Sequence, residues 1–304
     1  MKALLLENIH SEAVRALEGR GYQVELRSGA LGEAELADAL EGVELLGIRS
    51  RTHITGTVLK AHPQLLAVGA FCIGTNQIDL PAAAAAGVAV FNAPYSNTRS
   101  VVELALGEII TMARRLGDKN ASMHAGIWDK SANGSHEVRG RTLGIVGYGN
   151  IGSQLSVLAE AMGMKVYFYD VVDRLALGNA TRVDSMQELF ETCETISLHV
   201  DGRASNARLI GEREFAQMRP RTLFLNLCRG NVVDVDALAA ALQSGHIAGA
   251  AVDVFPDEPK SKDEPFVSPL QGISNVILTP HVGGSTLEAQ VDIGRYVAGK
   301  LADY

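Results

Sequence analysis

Residues 141–170 read RTLGIVGYGNIGSQLSVLAEAMGMKVYFYD, and this stretch leaves the surrounding fold little freedom. Gly147-Tyr-Gly149-Asn-Ile-Gly152 fits G-x-G-x-x-G, with the strand-like 143–146 before it and a helical pattern after it. Alone the glycine spacing is weak; its context gives it content. The first glycine makes the turn, the second lets a pyrophosphate approach the main chain, and the third packs helix against strand. The helix N-terminus then offers N–H groups and a positive dipole end to the phosphates. Asp170 closes the next strand, 18 residues after Gly152. A carboxylate there accepts ribose hydroxyls and repels a 2′-phosphate, which predicts NAD over NADP. Arg174 is the one nearby residue that argues the other way.

The same alternation runs through the first ninety or so residues. Apolar runs of strand length (KALLL, LLGI, LLAVGA, VAVF) alternate with helical patterns over SEAVRALEGRG, ELADALEGV and DLPAAAAAG. That rhythm predicts a parallel sheet with helices on both faces. Ser11 is expected to cap the first helix and Gly21 to end it. The long pattern NTRSVVELALGEIITMARRLG carries Ser100-x-x-Glu103, a capping-box spacing, and reads as a bridge into a second domain. Further strands read as TISLHV, TLFLNLC and IAGAAVDVF, with helices around 185–192, 211–218 and 235–244, and a short buried strand at 276–278. The helical TLEAQVDIGRYVAGKLADY then returns to the first domain. The expected boundaries are 1–96 and 284–304 for a discontinuous first domain, and 97–283 for a dinucleotide domain inserted into it. The fold class is α/β, with two doubly wound parallel sheets.

Composition sets limits on this reading. A chain of 304 residues is long enough for two domains and to hold a core without disulfide or metal. Its net charge of −8, with no Lys/Arg run, argues against nucleic acid but leaves room for a locally basic pocket and an anionic substrate. Cys72, Cys193 and Cys228 are far apart with no CxxC spacing, so neither a disulfide framework nor a structural zinc is expected. MKALLLENIH reads as a first strand rather than a signal, and no run approaches ~18 apolar residues. The cytoplasm is the default compartment.

Near the end of the chain, LTPHVGGST holds His281 between a proline and two glycines. On its own this is a hydrogen-bonded loop histidine. FLNLCRGNVVD, however, places Arg229 just past a strand, and AVDVFPDEP places Asp253 and Glu258 past another. Ligands of open α/β sheets bind outside the carboxyl ends of the strands. An arginine, a carboxylate and an imidazole at successive strand ends beside a nicotinamide suit hydride transfer involving a small hydroxy acid.

GIRSRTHIT, GAFCIGTNQIDL, FNAPYSNTRSVVE, GIVGYGNIG, GNAT, CRGNVVD, DVFPDEP and LTPHVGGST occur in that order. Through them essentially the whole chain resembles the D-isomer-specific 2-hydroxyacid dehydrogenase family. The resemblance implies a Rossmann-type NAD-binding domain inserted into a flavodoxin-like substrate domain, with Arg229, Glu258 and His281 catalytic. It implies NAD contacts from Gly147, Gly149, Asn150, Ile151, Gly152, Asp170, Leu227, Cys228, Arg229, Asp253, His281, Val282, Gly283 and Gly284. Substrate contacts are implied for Arg49, Ser50 and Arg51, whose charge suits a phosphate, for Cys72, Ile73 and Gly74, which would seat a carboxylate, and for Asn97.

Among the activities of such proteins, the resemblance implies NAD-linked oxidation of 3-phospho-D-glycerate to 3-phosphohydroxypyruvate, the entry to serine synthesis, with reduction of 2-oxoglutarate as a side activity. A member acting on hydroxypyruvate, glyoxylate or D-lactate is the alternative, and an NAD-sensing corepressor a more distant one. The resemblance further implies a homodimer through the NAD-binding domain, with Trp128 and Lys130 at a subunit contact. A C-terminal amino-acid-sensing (ACT) domain, expected to carry serine inhibition and to favour a tetramer, is not in this sequence. Cys228 stands where smaller polar or apolar residues are commoner, and reads as a packed thiol.

Overall fold

The computed structural model describes residues 1–259 and 263–304. These form two compact units, Met1–Asn97 with Ser285–Tyr304, and Thr98–Gly284. Asn97 groups with the first unit and Gly284 with the second, each one residue from the crossing read off the sequence.

The chain begins β1 (Lys2–Leu5), α1 (Ser11–Glu18), β2 (Gln23–Leu26), α2 (Glu33–Ala39), β3 (Leu45–Ile48), α3 (Gly56–Ala61), β4 (Ala67–Ala70), α4 (Leu80–Ala85) and β5 (Ala89–Asn92). These five strands pair in parallel in the order β2-β1-β3-β4-β5, the flavodoxin-like doubly wound order. Side chains on successive strand positions point to opposite faces. Leu4, Leu46 and Val68 accordingly enter one apolar cluster, while Ala3, Leu5, Leu45 and Ala67 enter another.

There follow α5 (Thr98–Ala113), α6 (Leu116–His124), β6 (Thr142–Val146), α7 (Asn150–Ala161), β7 (Lys165–Tyr169), β8 (Thr181–Arg182), α8 (Met186–Thr192), β9 (Thr195–Leu198), α9 (Glu212–Gln217), β10 (Thr222–Asn226), α10 (Val235–Gln243), β11 (Ile247–Val252) and β12 (Val276–Leu278). Their sheet has the order β12-β11-β10-β9-β6-β7-β8, all parallel. The direction of winding reverses between β6 and β9, the position where such folds take dinucleotides. Two clusters again cover the two faces, one around Phe190 and Phe224, the other around Ile145 and Leu225. The last helix, α11 (Leu287–Asp303), belongs to the first unit, where Val297 and Leu301 are fully buried beside Leu5 and Ala67.

Local signals differ from the structure in four places. Ser11 is already helical, because the His10 ring Nδ1 accepts the Glu12 N–H at 3.2 Å and makes His10 the cap. The same helix stops at Glu18, and Gly21, at φ +87, turns the chain after the helix has ended. Helix α5 starts at Thr98, so Ser100 lies inside its first turn, and Glu103 is held by Arg99 at 2.6 Å; the helix belongs wholly to the second unit. Strand β12 is half-buried rather than buried, because it is the edge of the seven-stranded sheet. Among the described residues no helix is long and apolar enough to cross a membrane.

Candidate active site

The loop after β6 is shaped by its glycines. Gly147 has φ +92, and a Cβ there would stand 2.6 Å from the His199 carbonyl oxygen beyond β9. A Cβ on Gly152 would strike the Gly147 oxygen at 2.2 Å, so helix α7 packs against its strand only without one. Gly149 faces open space: a Cβ there would meet nothing within 4 Å. Asp170 ends β7 with its carboxylate turned back to this loop, accepting Tyr148 N–H at 2.8 Å and Val172 N–H at 2.9 Å. Arg174 Nε lies 3.7 Å from the same carboxylate, so its charge is drawn to Asp170.

Three further strand ends carry the reactive candidates. At the end of β10, buried Asn226 accepts the Cys228 N–H at 3.2 Å and donates to the Arg229 carbonyl at 3.2 Å, which fixes the bend that presents Arg229. Arg229 Nη1 donates to the Cys228 carbonyl at 2.6 Å. Leu227 and Cys228 are buried, and burial pushes the Cys228 thiol up to about 11, so it is a packed thiol. Past β11, the buried Asp253 carboxylate accepts from Thr279 Oγ1 at 2.6 Å and from the N–H groups of Val282 and Gly283, both at 2.8 Å. Its carbonyl takes the His281 N–H at 2.8 Å. One residue at the end of β11 thus holds the entire turn beyond β12, including His281 at φ +54.

That turn aims the imidazole at Glu258. His281 Nδ1 lies 2.9 Å from Glu258 Oε2, while Glu258 Oε1 accepts the Phe255 N–H at 3.2 Å. The hydrogen bond to Glu258 raises the His281 pKa above its ordinary 6.5, against the opposing effects of burial and of the nearby Arg229 charge. For Glu258, burial opposes ionisation, but the hydrogen bond and charge of His281, the Phe255 N–H and Arg229 together hold its carboxyl below the usual range. Arg229 is therefore close enough for its charge to reach both partners. With Nδ1 committed to Glu258, the neutral ring carries its free lone pair on Nε2.

In the first unit, the loop after β3 is held by a residue at the end of β1. The Glu7 carboxylate, 3% exposed, accepts the N–H groups of Arg49 (3.2 Å), Arg51 (3.0 Å) and Thr52 (2.9 Å). Arg51 Nε lies 3.8 Å from the same group, and Ser50 is exposed at the tip. Gln77 joins this loop to the one after β4, donating to the Arg49 carbonyl at 2.6 Å and the Gly74 carbonyl at 3.2 Å. Cys72 Sγ also reaches the Gly74 carbonyl, and Asn92 donates to that of Ile73 at 2.7 Å. Asn97 Oδ1 is buried with no hydrogen-bond partner among the described residues.

Residues 106–283 match the family model of the D-isomer specific 2-hydroxyacid dehydrogenase NAD binding domain. The whole chain is 53% identical to the D-3-phosphoglycerate dehydrogenase of Haemophilus influenzae, covering 74% of it, and 50% identical to that of Escherichia coli K12, again covering 74%. The chain belongs to the D-isomer specific 2-hydroxyacid dehydrogenase family. It is also similar to the solved D-lactate dehydrogenase of Aquifex aeolicus, complexed with NAD and lactic acid: TM-score 0.83, 26% identity, 98% of this chain and 94% of that one.

The cofactor of this 2-hydroxyacid dehydrogenase is NAD, and the loop after β6 fits it. Gly149 leaves the main chain open to a pyrophosphate at the N-terminus of α7, and Asp170 closes the neighbouring strand. Asn150 and Ile151 form the first turn of that helix. Sequence reading missed Glu7, Gln77 and Glu108. The first follows a strand directly, so the strand-end rule that picked Arg229 would have found it.

Glu108, on α5, is 4% exposed with both carboxyl oxygens unpartnered among the described residues. Burial, then the Asp253 charge, pushes its pKa up from 4.5 to about 8, so it is protonated at neutral pH. The folded state holds this proton more tightly than the unfolded chain does. Stability is therefore full below the unfolded pKa and falls as pH rises toward the folded one, by up to about 1.4 kcal/mol per pH unit. Glu108→Gln cannot lose a proton. Its melting temperature should pull ahead of the parent's between pH 5 and 8, measured by calorimetry, and the gap should level off above that.

Proposed function

We propose that the chain oxidises 3-phospho-D-glycerate to 3-phosphohydroxypyruvate with NAD, opening L-serine synthesis. The observation that carries this reading is the His281–Glu258 pair at 2.9 Å, within electrostatic reach of Arg229 at the carboxyl ends of the sheet that bears the nucleotide loop. Bound NAD supplies the hydride acceptor. His281 Nε2 takes the proton from the substrate hydroxyl, and Glu258 stabilises the imidazolium that results. Arg229 holds the C1 carboxylate with its planar fork and polarises the developing carbonyl. In the reverse direction the imidazolium returns the proton, which also accommodates reduction of 2-oxoglutarate.

Arg49 and Arg51 take the phosphate in this reading, and their N–H groups are already held in place by Glu7. Backbone groups of Cys72, Ile73 and Gly74 seat the carboxylate, and Asn97 adds its side-chain amide. The double variant Arg49→Glu/Arg51→Glu should raise KM for 3-phosphoglycerate at least 100-fold, since reversing two charges replaces charge-assisted bonds by repulsion. Its KM for D-lactate or glycerate should change by no more than about threefold, in a direct assay of NADH formation. Equal losses on phosphorylated and unphosphorylated acids would instead favour a family member that acts on hydroxypyruvate, glyoxylate or D-lactate.

The reading includes a homodimer formed through the NAD-binding unit and a cytoplasmic location. Trp128, 74% exposed, and Ile127, 58% exposed, follow α6 in that unit and offer apolar surface for a second copy to cover.

A further inference from the structure

At the opposite end of the seven-stranded sheet, where β6, β10 and β11 begin, lies a cavity of about 250 Å³. Its wall carries Arg115, Arg141, Arg219 and Arg221, with His136 and Glu194. The four arginines come from three separate segments: the α5–α6 junction, the approach to β6, and the turn between α9 and β10. We infer that this cavity is a binding site for a small phosphoryl-bearing anion, separate from the candidate active site.

The charge arrangement carries the inference. Arg115 is engaged by Asp118 at 2.7 Å, and Arg141 by Glu194 at 3.3 Å. Arg141 Nε is nevertheless buried with no hydrogen-bond partner among the described residues. Among the described residues the Arg219 side chain makes one hydrogen bond, to the Thr192 carbonyl at 3.2 Å, and the Arg221 side chain has no hydrogen bond or ion pair. Four guanidiniums thus meet two carboxylates in a protein whose net charge is −8. Like charges converge here with donors to spare, and an anion satisfies both. Guanidinium forks match phosphoryl oxygens in pairs, which selects phosphate over a halide. The volume falls below the roughly 300–1,000 Å³ of drug-sized ligand sites, so it suits one or two phosphoryl groups rather than a nucleotide.

The site is neither the one proposed for substrate phosphate, whose Arg49 and Arg51 belong to the first unit, nor the candidate active site of the second. Strands of five residues place their two ends roughly 16 Å apart, and His281, Glu258 and Arg229 all follow carboxyl ends.

The test is calorimetric titration of inorganic phosphate and of pyrophosphate into the full chain, carrying Arg49→Ala/Arg51→Ala and saturated with NADH to silence the other anion sites. About one anion should bind per chain, and Arg219→Ser/Arg221→Ser should raise its Kd at least tenfold. Arg221→Glu should abolish binding, while Arg114→Ser, a nearby exposed arginine outside the wall, should leave it unchanged. Retained NADH binding by each variant confirms its fold. Absence of phosphate binding, binding that survives Arg221→Glu, or binding weakened equally by Arg114→Ser would each overturn the assignment, the last two marking an adventitious ion only.

Discussion

His281→Ala is expected to lower kcat for oxidation of 3-phosphoglycerate by about 100- to 10,000-fold, the range that a positioned proton acceptor contributes. NADH affinity, read by fluorescence titration, should stay within about threefold of the parent, because the dinucleotide loop is built on β6 and β7. The pH profile tests the partnership with Glu258. Oxidation needs the neutral ring, so kcat/KM should rise with pH through a pKa above 6.5, as Glu258 holds the proton on. Reduction needs the protonated ring and should fall through the same pKa. Glu258→Gln removes the charged acceptor, leaving burial as the largest remaining influence on His281, and burial lowers its pKa. Both limbs should therefore move to lower pH in the variant. An unmoved profile, with only kcat reduced, would mean that Glu258 acts on something other than the imidazole.

Features encoded in consecutive residues were legible in the sequence. The strand, the glycine spacing and the carboxylate of 141–170 are local, and so is the βα rhythm that yields two parallel sheets. Strand-end residues such as Arg229 and His281 were legible because a parallel sheet puts every carboxyl end on one side. The illegible features depend on distant partners. The strand-end place of Glu7 is legible, but its partners stand 42 to 45 positions away, and nothing in LLLENIH announces them. Asp253 is expected at the cofactor from its strand-end place, but that its carboxylate also holds the turn of residues 279–283, 26 to 30 positions on, is visible only in the fold. His10 caps α1 through a ring nitrogen, a donor–acceptor match outside the usual Ser, Thr, Asp and Asn set. The four cavity arginines are spread from 115 to 221, so only folding assembles them.

Gly230 and Gly149 should separate what holds the site together from what makes room for the cofactor. Gly230 follows Arg229, and a Cβ there would stand 1.9 Å from the Phe255 carbonyl carbon and 2.5 Å from the Pro256 nitrogen. Both obstacles are main chain, so no side chain can turn aside. The loop bearing Arg229 and the loop bearing Glu258 must part for Gly230→Ala to fold, and Phe255 N–H is itself a donor to Glu258. The expected cost is about 3–5 kcal/mol, seen as a lower denaturation midpoint with kcat reduced at least 100-fold in whatever remains folded. Gly149 has ordinary extended backbone, φ −80 and ψ −152, and a Cβ there meets no protein atom within 4 Å. Gly149→Ala should leave the denaturation midpoint within about 0.5 kcal/mol of the parent. The added methyl instead occupies the approach that a pyrophosphate needs, so Kd for NADH should rise at least tenfold. One alanine thus acts on stability and the other on cofactor affinity, and the two measurements together locate the dinucleotide at the α7 N-terminus.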